Sequence, residues 1–228
     1  DQHSAEEVGD EPVMLSLSGE SWISADRGAA GRAMSDAGVG IIVMDAGHQN
    51  PSLLKDLTLV VVDAQSQFGN GHIIPKGPLR ERISSGLARA DAVILMGDGS
   101  CPDALRQSGR PILRASIVPT TVLPDQAYVA FAGIGHPQKF FDTLSLMNLD
   151  LRDSVPFPDH HTFSQADLRY LRKLADESGA QLVTTEKDFA RLSPEDRAGI
   201  LTLPVEAQFE DTDALDNLLS DVLKAQAK

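Results

Sequence analysis

A single cysteine, Cys101, leaves the chain no internal disulfide, as expected of a protein kept in a reducing compartment. Aromatic residues are scarce at 5%, so aliphatic side chains have to fill the interior. No apolar run approaches the roughly 20 residues that a membrane-spanning helix needs, and no signal peptide opens the chain. Cations are few: 20 Lys and Arg face 33 Asp and Glu, for a net charge of −13. That balance argues against a nucleic-acid partner, whose binding rests on neutralising phosphates with Lys and Arg. A phosphate-handling site here must be a local exception, built from a few placed cations and backbone N–H groups. Internal repeats and low-complexity tracts are also lacking. The sequence opens on Asp1 rather than Met and reads as mid-protein from its first residues, so the expectation is a fragment of a longer protein.

What is present is a chain 42% hydrophobic over 228 residues, enough for one large domain or two small ones. Short apolar runs at residues 39–44, 57–62, 92–96, 128–132 and 182–184 alternate with amphipathic or turn-rich stretches. Continuous apolar runs suit strands covered on both faces, and their alternation with helices predicts an α/β/α sandwich with mainly parallel sheets. Ser164 is placed to N-cap a helix carrying Leu168, Leu171 and Leu174, with Gly179 as its stop. Ser193-Pro194-Glu195-Asp196 has the pattern of another helix start. Leu215, Leu218, Leu219 and Val222 form a helical stripe expected to face a core. A stretch rich in glycine and proline, from Gln65 to Ser84, predicts a hinge. The expected division is 1–67 and 68–228, with the C-terminal helix free to pack back on the first unit.

Several residue groups could carry chemistry. In Gly9-Asp10-Glu11-Pro12, proline suits the first turn of a helix running through Met14, Leu15 and Leu17, which places Asp10 at its N-terminus. Asp10 reads equally as a cap or as a carboxylate at a strand-to-helix edge, where doubly wound sheets bind ligands. Asp45 closes an apolar run and precedes Ala46-Gly47-His48-Gln49, a position where kinases hold Mg²⁺; Asp63 closes the next run in the same way. Phe68-Gly69-Asn70-Gly71 leads to Gly77-Pro78-Leu79-Arg80-Glu81, where Arg80 offers a planar fork to phosphate oxygens. The alternative for that stretch is a rigid turn with a solvated ion pair. Asp159-His160-His161 makes a poor metal site, because adjacent histidines diverge; one of them, oriented by a carboxylate, would suit proton transfer. Thr184-Thr185-Glu186-Lys187-Asp188 reads as a helix cap or as cleft-lining polar groups, with the structural role favoured. Cys101 has neither a basic neighbour nor a CxxC partner, which argues against a catalytic thiol.

The order of these motifs is more specific than any one of them. Gly9-Asp10-Glu11-Pro12, Asp26-Arg27, Asp45-Ala46-Gly47-His48-Gln49, the Phe68 to Glu81 stretch, Phe131-Ala132-Gly133-Ile134, Phe157-Pro158-Asp159-His160-His161 and Thr184 to Asp188 with Arg191-Leu192 together resemble the tetraacyldisaccharide 4′-kinase family. The resemblance runs over nearly the whole chain.

It implies an ATP- and Mg²⁺-dependent kinase of lipid A biosynthesis at the cytoplasmic face of the bacterial inner membrane. The acceptor would be the 4′-hydroxyl of a tetraacylated glucosamine disaccharide 1-phosphate. It further implies two α/β/α units, the first a P-loop kinase-like unit present here only in part. The phosphate-binding loop and a membrane-associating N-terminal segment would precede Gly9, and the chain alone would be inactive without them. By position, Asp10 and His160 look like the catalytic pair. Glu11, Arg27, Gln49, Arg80 and Glu81 look like substrate- or phosphate-binding groups, and Asp45 like the metal ligand. Two positions depart from the family pattern Asp-Asp-Gly-x-Gln-His: Ala46 stands where an acid is usual, and Asn50 where a histidine is. A non-catalytic homologue, or a fragment that binds at most nucleotide or lipid phosphate, is the competing reading. An unrelated dinucleotide-binding α/β protein would need a glycine fingerprint at a strand–helix turn, and none is present.

Overall fold

The structure is a computed structural model and describes residues 5–16 and 18–226. Among them the helices are α1 (Ala5–Val8), α2 (Asp10–Ser16), α3 (Arg27–Asp36), α4 (Ile83–Ala88), α5 (Asp103–Gln107), α6 (Pro137–Leu146), α7 (Gln165–Ser178), α8 (Glu186–Arg191) and α9 (Thr212–Gln226). The strands are β1 (Leu59–Asp63), β2 (Ala92–Met96), β3 (Ile112–Pro119), β4 (Ala127–Ala132), β5 (Asp150–Pro156), β6 (Gln181–Thr185), β7 (Ile200–Leu203) and β8 (Val205–Phe209).

The chain divides into two compact units, each made of two segments: Asp1–Ala25 with Pro119–Val205, and Asp26–Val118 with Glu206–Lys228. The division therefore does not fall at 67/68. Residues on either side of that point are stitched together by the parallel β1–β2 ladder, which runs in register from Leu59–Ala92 to Asp63–Met96. The stretch from Gln65 to Ser84 is thus a connection within one unit. The C-terminal helix joins the same unit.

The unit holding α2 has a four-stranded sheet in the order β5-β4-β6-β7, with every pairing parallel. Alternation along β4 explains its two cores. Tyr128, Ala130 and Ala132 pack to one side with Phe140, Phe141 and Leu144 of α6. Val129 and Phe131 pack to the other with Leu168, Leu171 and Ala175 of α7. Both faces are covered, as the continuous apolar runs predict. Helix α7 begins at a complete capping box: Ser164 Oγ accepts from Asp167 N–H, and the Asp167 carboxylate accepts from Ser164 N–H. It ends on Gly179 at φ +60°, a left-handed position that glycine takes without a Cβ clash.

The other unit carries the sheet β1-β2-β3-β8, parallel from β1 through β3. Val62, Val93 and Leu95 meet Leu87 of α4 and Leu105 of α5 on one face, while Val61 on the opposite side of β1 stays exposed.

Three expectations need correcting. Residues 39–44 form no strand: Ile41, Ile42 and Val43 are exposed and no ladder pairs them among the described residues. An apolar run without a neighbouring strand has no partner for its backbone groups. Ser193 does accept from Asp196 N–H, but the turn stops at Gly199 (φ +74°) on entering β7 instead of extending as a helix. The Leu215–Val222 stripe is only half-buried, with Leu219 exposed. Leu17 lies outside the described residues.

Candidate active site

The backbone builds the first cluster at the carboxyl ends of β4 and β6, within one unit. Gly9, at φ +90°, turns the chain into α2, so that Asp10 opens the helix with Pro12 in its first turn. Asp10 is 9% exposed, an uncommon burial for a carboxylate. Its neighbours come from far along the chain. Arg191, in the last turn of α8, donates from Nε to Asp10 Oδ2 at 2.8 Å and contacts the same oxygen through Nη2. His160 Nδ1 lies 3.2 Å from Oδ2, and Lys187 Nζ 3.7 Å from it. Lys187 also donates to Glu11 Oε1 at 3.0 Å.

Behind this layer stands a second carboxylate. Asp188 is fully buried; its Oδ1 accepts from Arg191 Nη1 at 2.8 Å, and its Oδ2 from Thr185 Oγ1 at 2.7 Å and Gly133 N–H at 3.1 Å. Gly133 follows β4 directly. Its carbonyl accepts from Arg191 Nη1 at 2.7 Å and from His160 N–H at 3.0 Å. A Cβ at Gly133 would sit 3.2 Å from Asp188 Oδ1, His161 Cβ and Pro158 O alike, so the position admits no side chain without displacement. His160 itself adopts φ +57°, a conformation rare for residues other than glycine and found at sites that the surroundings over-determine.

Electrostatics separate the two acids. Burial works against the Asp10 charge, but the Arg191 hydrogen bonds, the Arg191 charge and the Lys187 charge outweigh it and hold the pKa at about 2. Burial pushes Asp188 upward against its hydrogen bonds from Thr185 and Gly133 and the charge of Arg191. The adjacent His161 points elsewhere, as adjacency predicts: its ring stacks on Phe157 at 4.7 Å between centroids and reaches Asp167 Oδ2 at 3.1 Å.

The other unit gathers a second polar group. Arg27, at the start of α3, donates from Nη1 to the Asp45 carbonyl at 2.8 Å. Glu81 accepts from Gln49 Nε2 at 3.0 Å and from Arg89 Nη2 at 2.6 Å, and these two hydrogen bonds, Arg89 first, lower its pKa. His48 Nε2 stands 3.8 Å from Glu81 Oε1; both His48 ring nitrogens are buried without a hydrogen bond among the described residues. The loop from Phe68 to Glu81 is pinned by Asn70, which donates to Lys76 O at 2.8 Å and accepts from His72 N–H at 3.1 Å. Arg80 is exposed, and among the described residues no hydrogen bond or ion pair holds its guanidinium.

A model of the tetraacyldisaccharide-1-phosphate 4′-kinase family matches residues 1–224. The chain belongs to that family. The tetraacyldisaccharide 4′-kinase of Hyphomonas neptunium is 53% identical over 227 residues, spanning all of this chain and 68% of the relative. That of Rhodospirillum centenum is 46% identical, over 99% of this chain and 68% of the relative. Among solved structures, the "apo" form of LpxK from Aquifex aeolicus in complex with ATP matches with a TM-score of 0.72 at 21% identity. That match covers 97% of this chain and 71% of that one, and it establishes a shared fold of two parallel or mixed sheets flanked by helices.

Kinases of this family invite the question of a metal site. Among the described residues, no group of three or more His, Cys, Asp and Glu side chains could hold an ion. Asp45 is exposed and has Ala46, at φ +48°, beside it where a second acid would stand. Mg²⁺ is commonly held by one or two carboxylates together with substrate phosphates, so Asp45 alone fits the part of a single protein ligand and no more. No helix is long and apolar enough to cross a membrane among the described residues.

Of the family-implied residues, Asp10, Glu11 and His160 come together in one unit. Arg27 reaches Asp45 there in the other, and Gln49 reaches Glu81; Arg80 joins neither pair. Reading of the sequence missed Arg191, Lys187 and Gly133 as parts of the site and left Asp188 as a cap. A signal was available: Lys187, Asp188 and Arg191 are spaced to share one turn of a helix that follows a buried strand.

Proposed function

We propose that a full-length protein carrying this chain catalyses ATP-dependent phosphorylation of the 4′-hydroxyl of a tetraacylated glucosamine disaccharide 1-phosphate, a lipid A precursor. Membership of the tetraacyldisaccharide-1-phosphate 4′-kinase family supports the reaction. The observation that carries the chemistry is the Asp10–His160 contact, made by residues 150 positions apart. The acceptor oxygen forms a bond to the γ-phosphorus while the bond to the β–γ bridging oxygen breaks, its electron pair leaving on ADP. The hydroxyl proton passes to the carboxylate–imidazole pair, as general-base catalysis requires. Arg27, Gln49, Arg80 and Glu81 are proposed as phosphate- and substrate-binding groups, and the free guanidinium of Arg80 suits an incoming phosphate. Glu11, exposed beside Lys187, is proposed to contact the acceptor sugar. Mg²⁺ bound with ATP neutralises phosphate charge, and Asp45 is proposed as its protein carboxylate. The acylated acceptor is proposed to be met at the cytoplasmic face of the bacterial inner membrane, where ATP is supplied.

The test is steady-state kinetics with ATP and the tetraacyldisaccharide 1-phosphate on Asp10→Ala and His160→Ala. Loss of kcat with KM little changed supports the reading; wild-type kcat in both variants removes the pair from the mechanism.

A further inference from the structure

The contacts around Asp10 are one-sided. Among the described residues, the side chains of Arg191, His160 and Lys187 all meet its carboxylate at Oδ2. Arg191 supplies two of these contacts, through Nε and Nη2, and its side chain is only 7% exposed. Its remaining donor, Nη1, is fixed from behind by the Asp188 carboxylate and the Gly133 carbonyl. A planar guanidinium held on one edge by a buried acid presents its other edge in a set orientation. The array is therefore a rigid chain running from Asp188 through Arg191 to Asp10.

The same array decides the state of the imidazole. Arg191 Nη2 lies 3.4 Å from His160 Nδ1, and Asp10 Oδ2 lies 3.2 Å from it. Arg191 can only donate, and it already donates to Asp10, so the nearer carboxylate is the natural partner of Nδ1 and accepts its N–H. The basic lone pair then resides on Nε2, on a side chain 57% exposed, with Asp159 Oδ2 at 3.9 Å. The charged groups around the pair are Lys187, Asp188 and Arg191 on α8, Glu11 on α2, and Asp159 on the His160 loop.

We infer that Arg191 is the positioning residue of this pair: anchored on Asp188 and the Gly133 carbonyl, it fixes the carboxylate of Asp10 in the orientation that meets His160. This rests on the reaction proposed above. The low pKa of Asp10 agrees with it, since so weak a base is better suited to orienting an imidazole than to removing a proton. Arg191 touches neither the acceptor nor ATP in this assignment; it acts through Asp10.

The experiment compares kcat, KM and pH–rate profiles of the enzyme and its Arg191→Met, Arg191→Lys and Asp188→Asn variants, with thermal unfolding alongside and Asp10→Ala and His160→Ala as controls. Arg191→Met should lower kcat about 10- to 100-fold, the scale of a misplaced catalytic group, with KM for the disaccharide within about threefold. Removing a cation beside the pair should move the acid limb of kcat to higher pH by about half a unit or more. Arg191→Lys keeps the charge and should return the limb to its original place, with kcat partly restored. A folded Arg191→Met enzyme with wild-type kcat and an unmoved acid limb overturns the inference. Should that variant not fold, the other two decide: several-fold lower kcat at unchanged KM upholds the role, and wild-type kcat in both ends it. If the Asp10 and His160 controls themselves keep full kcat, the underlying reaction assignment fails, and not merely the role of Arg191.

Discussion

His160 turns Nδ1 toward Oδ2 of Asp10 at 3.2 Å, although the two stand 150 positions apart in the chain. The contact depends on an unusual backbone: His160 sits at φ +57° and is held there by hydrogen bonds from its N–H to Gly133 O and Asp159 Oδ1, both at 3.0 Å.

Asp10→Ala and His160→Ala should each lower kcat by about 10²- to 10⁴-fold, the usual contribution of general acid–base groups, with far smaller changes in KM. The two losses should combine to less than their product in the double variant, because groups acting as a unit are not additive. Steady-state kinetics on the single and double variants measure both effects.

Acid stability follows from the Asp10 pKa. A carboxylate lowered from 3.8 to about 2 on folding contributes stability that is complete above its unfolded pKa. That stability is lost as pH falls through the folded value. At neutral pH the contribution is about 2 kcal/mol, since one pKa unit corresponds to about 1.4 kcal/mol. Asp10→Asn should therefore be less stable than the parent protein at pH 7, and the gap should close between about pH 4 and pH 2. Urea unfolding across that range checks the prediction.

Gly133→Ala should destabilise the protein by about 1–3 kcal/mol, the range for overpacking a fitted position. Its new methyl meets Asp188, His161 and Pro158 at once. Because the same glycine carries the hydrogen bonds to Asp188, Arg191 and His160, kcat should fall alongside thermal stability. Thermal unfolding and kinetics on the one variant measure both.

Ala46→Asp should lower the Mg²⁺ concentration needed for half-maximal rate, by placing a second carboxylate beside Asp45. Aspartate also tolerates the left-handed backbone of this residue, at φ +48°, better than alanine does. Titration of activity with Mg²⁺ tests this, and an unchanged requirement would show that Asp45 needs no second acid.

Much of the fold was legible because buried central strands announce themselves. Residues 92–96 are β2 itself, and 128–132 and 182–184 lie within β4 and β6; the first two are continuous in apolar side chains because both faces are covered, and the third closes on the buried hydroxyl of Thr184. Strand β5 was not legible: it reads Asp150-Leu151-Arg152-Asp153-Ser154-Val155-Pro156 and lies at a sheet edge, where charge discourages further pairing. Helix α7 carried its start and stop in Ser164 and Gly179. The false helix after Ser193 had a valid cap but only six residues before β7, too few to continue.

The candidate site divided along the same lines. Asp10 and His160 were legible through motif order, whereas Arg191 was not, because its role depends on a strand–helix turn bringing it 181 positions back to Asp10. The discontinuity of the units hid the domain boundary as well. Two units that each begin early and finish late leave no single hinge for composition to mark.

That interleaving also sets the order in which the protein can be completed as it is made. Asp10 leaves the ribosome 150 residues before His160 and 181 before Arg191, a wait on the order of ten to thirty seconds at ordinary elongation rates. For that interval its helix has neither the sheet nor the cation that later bury it. The unit containing it can close once residue 205 has emerged, while the other still awaits residues 206–228. The segment synthesised first among the described residues is thus among the last to find its place.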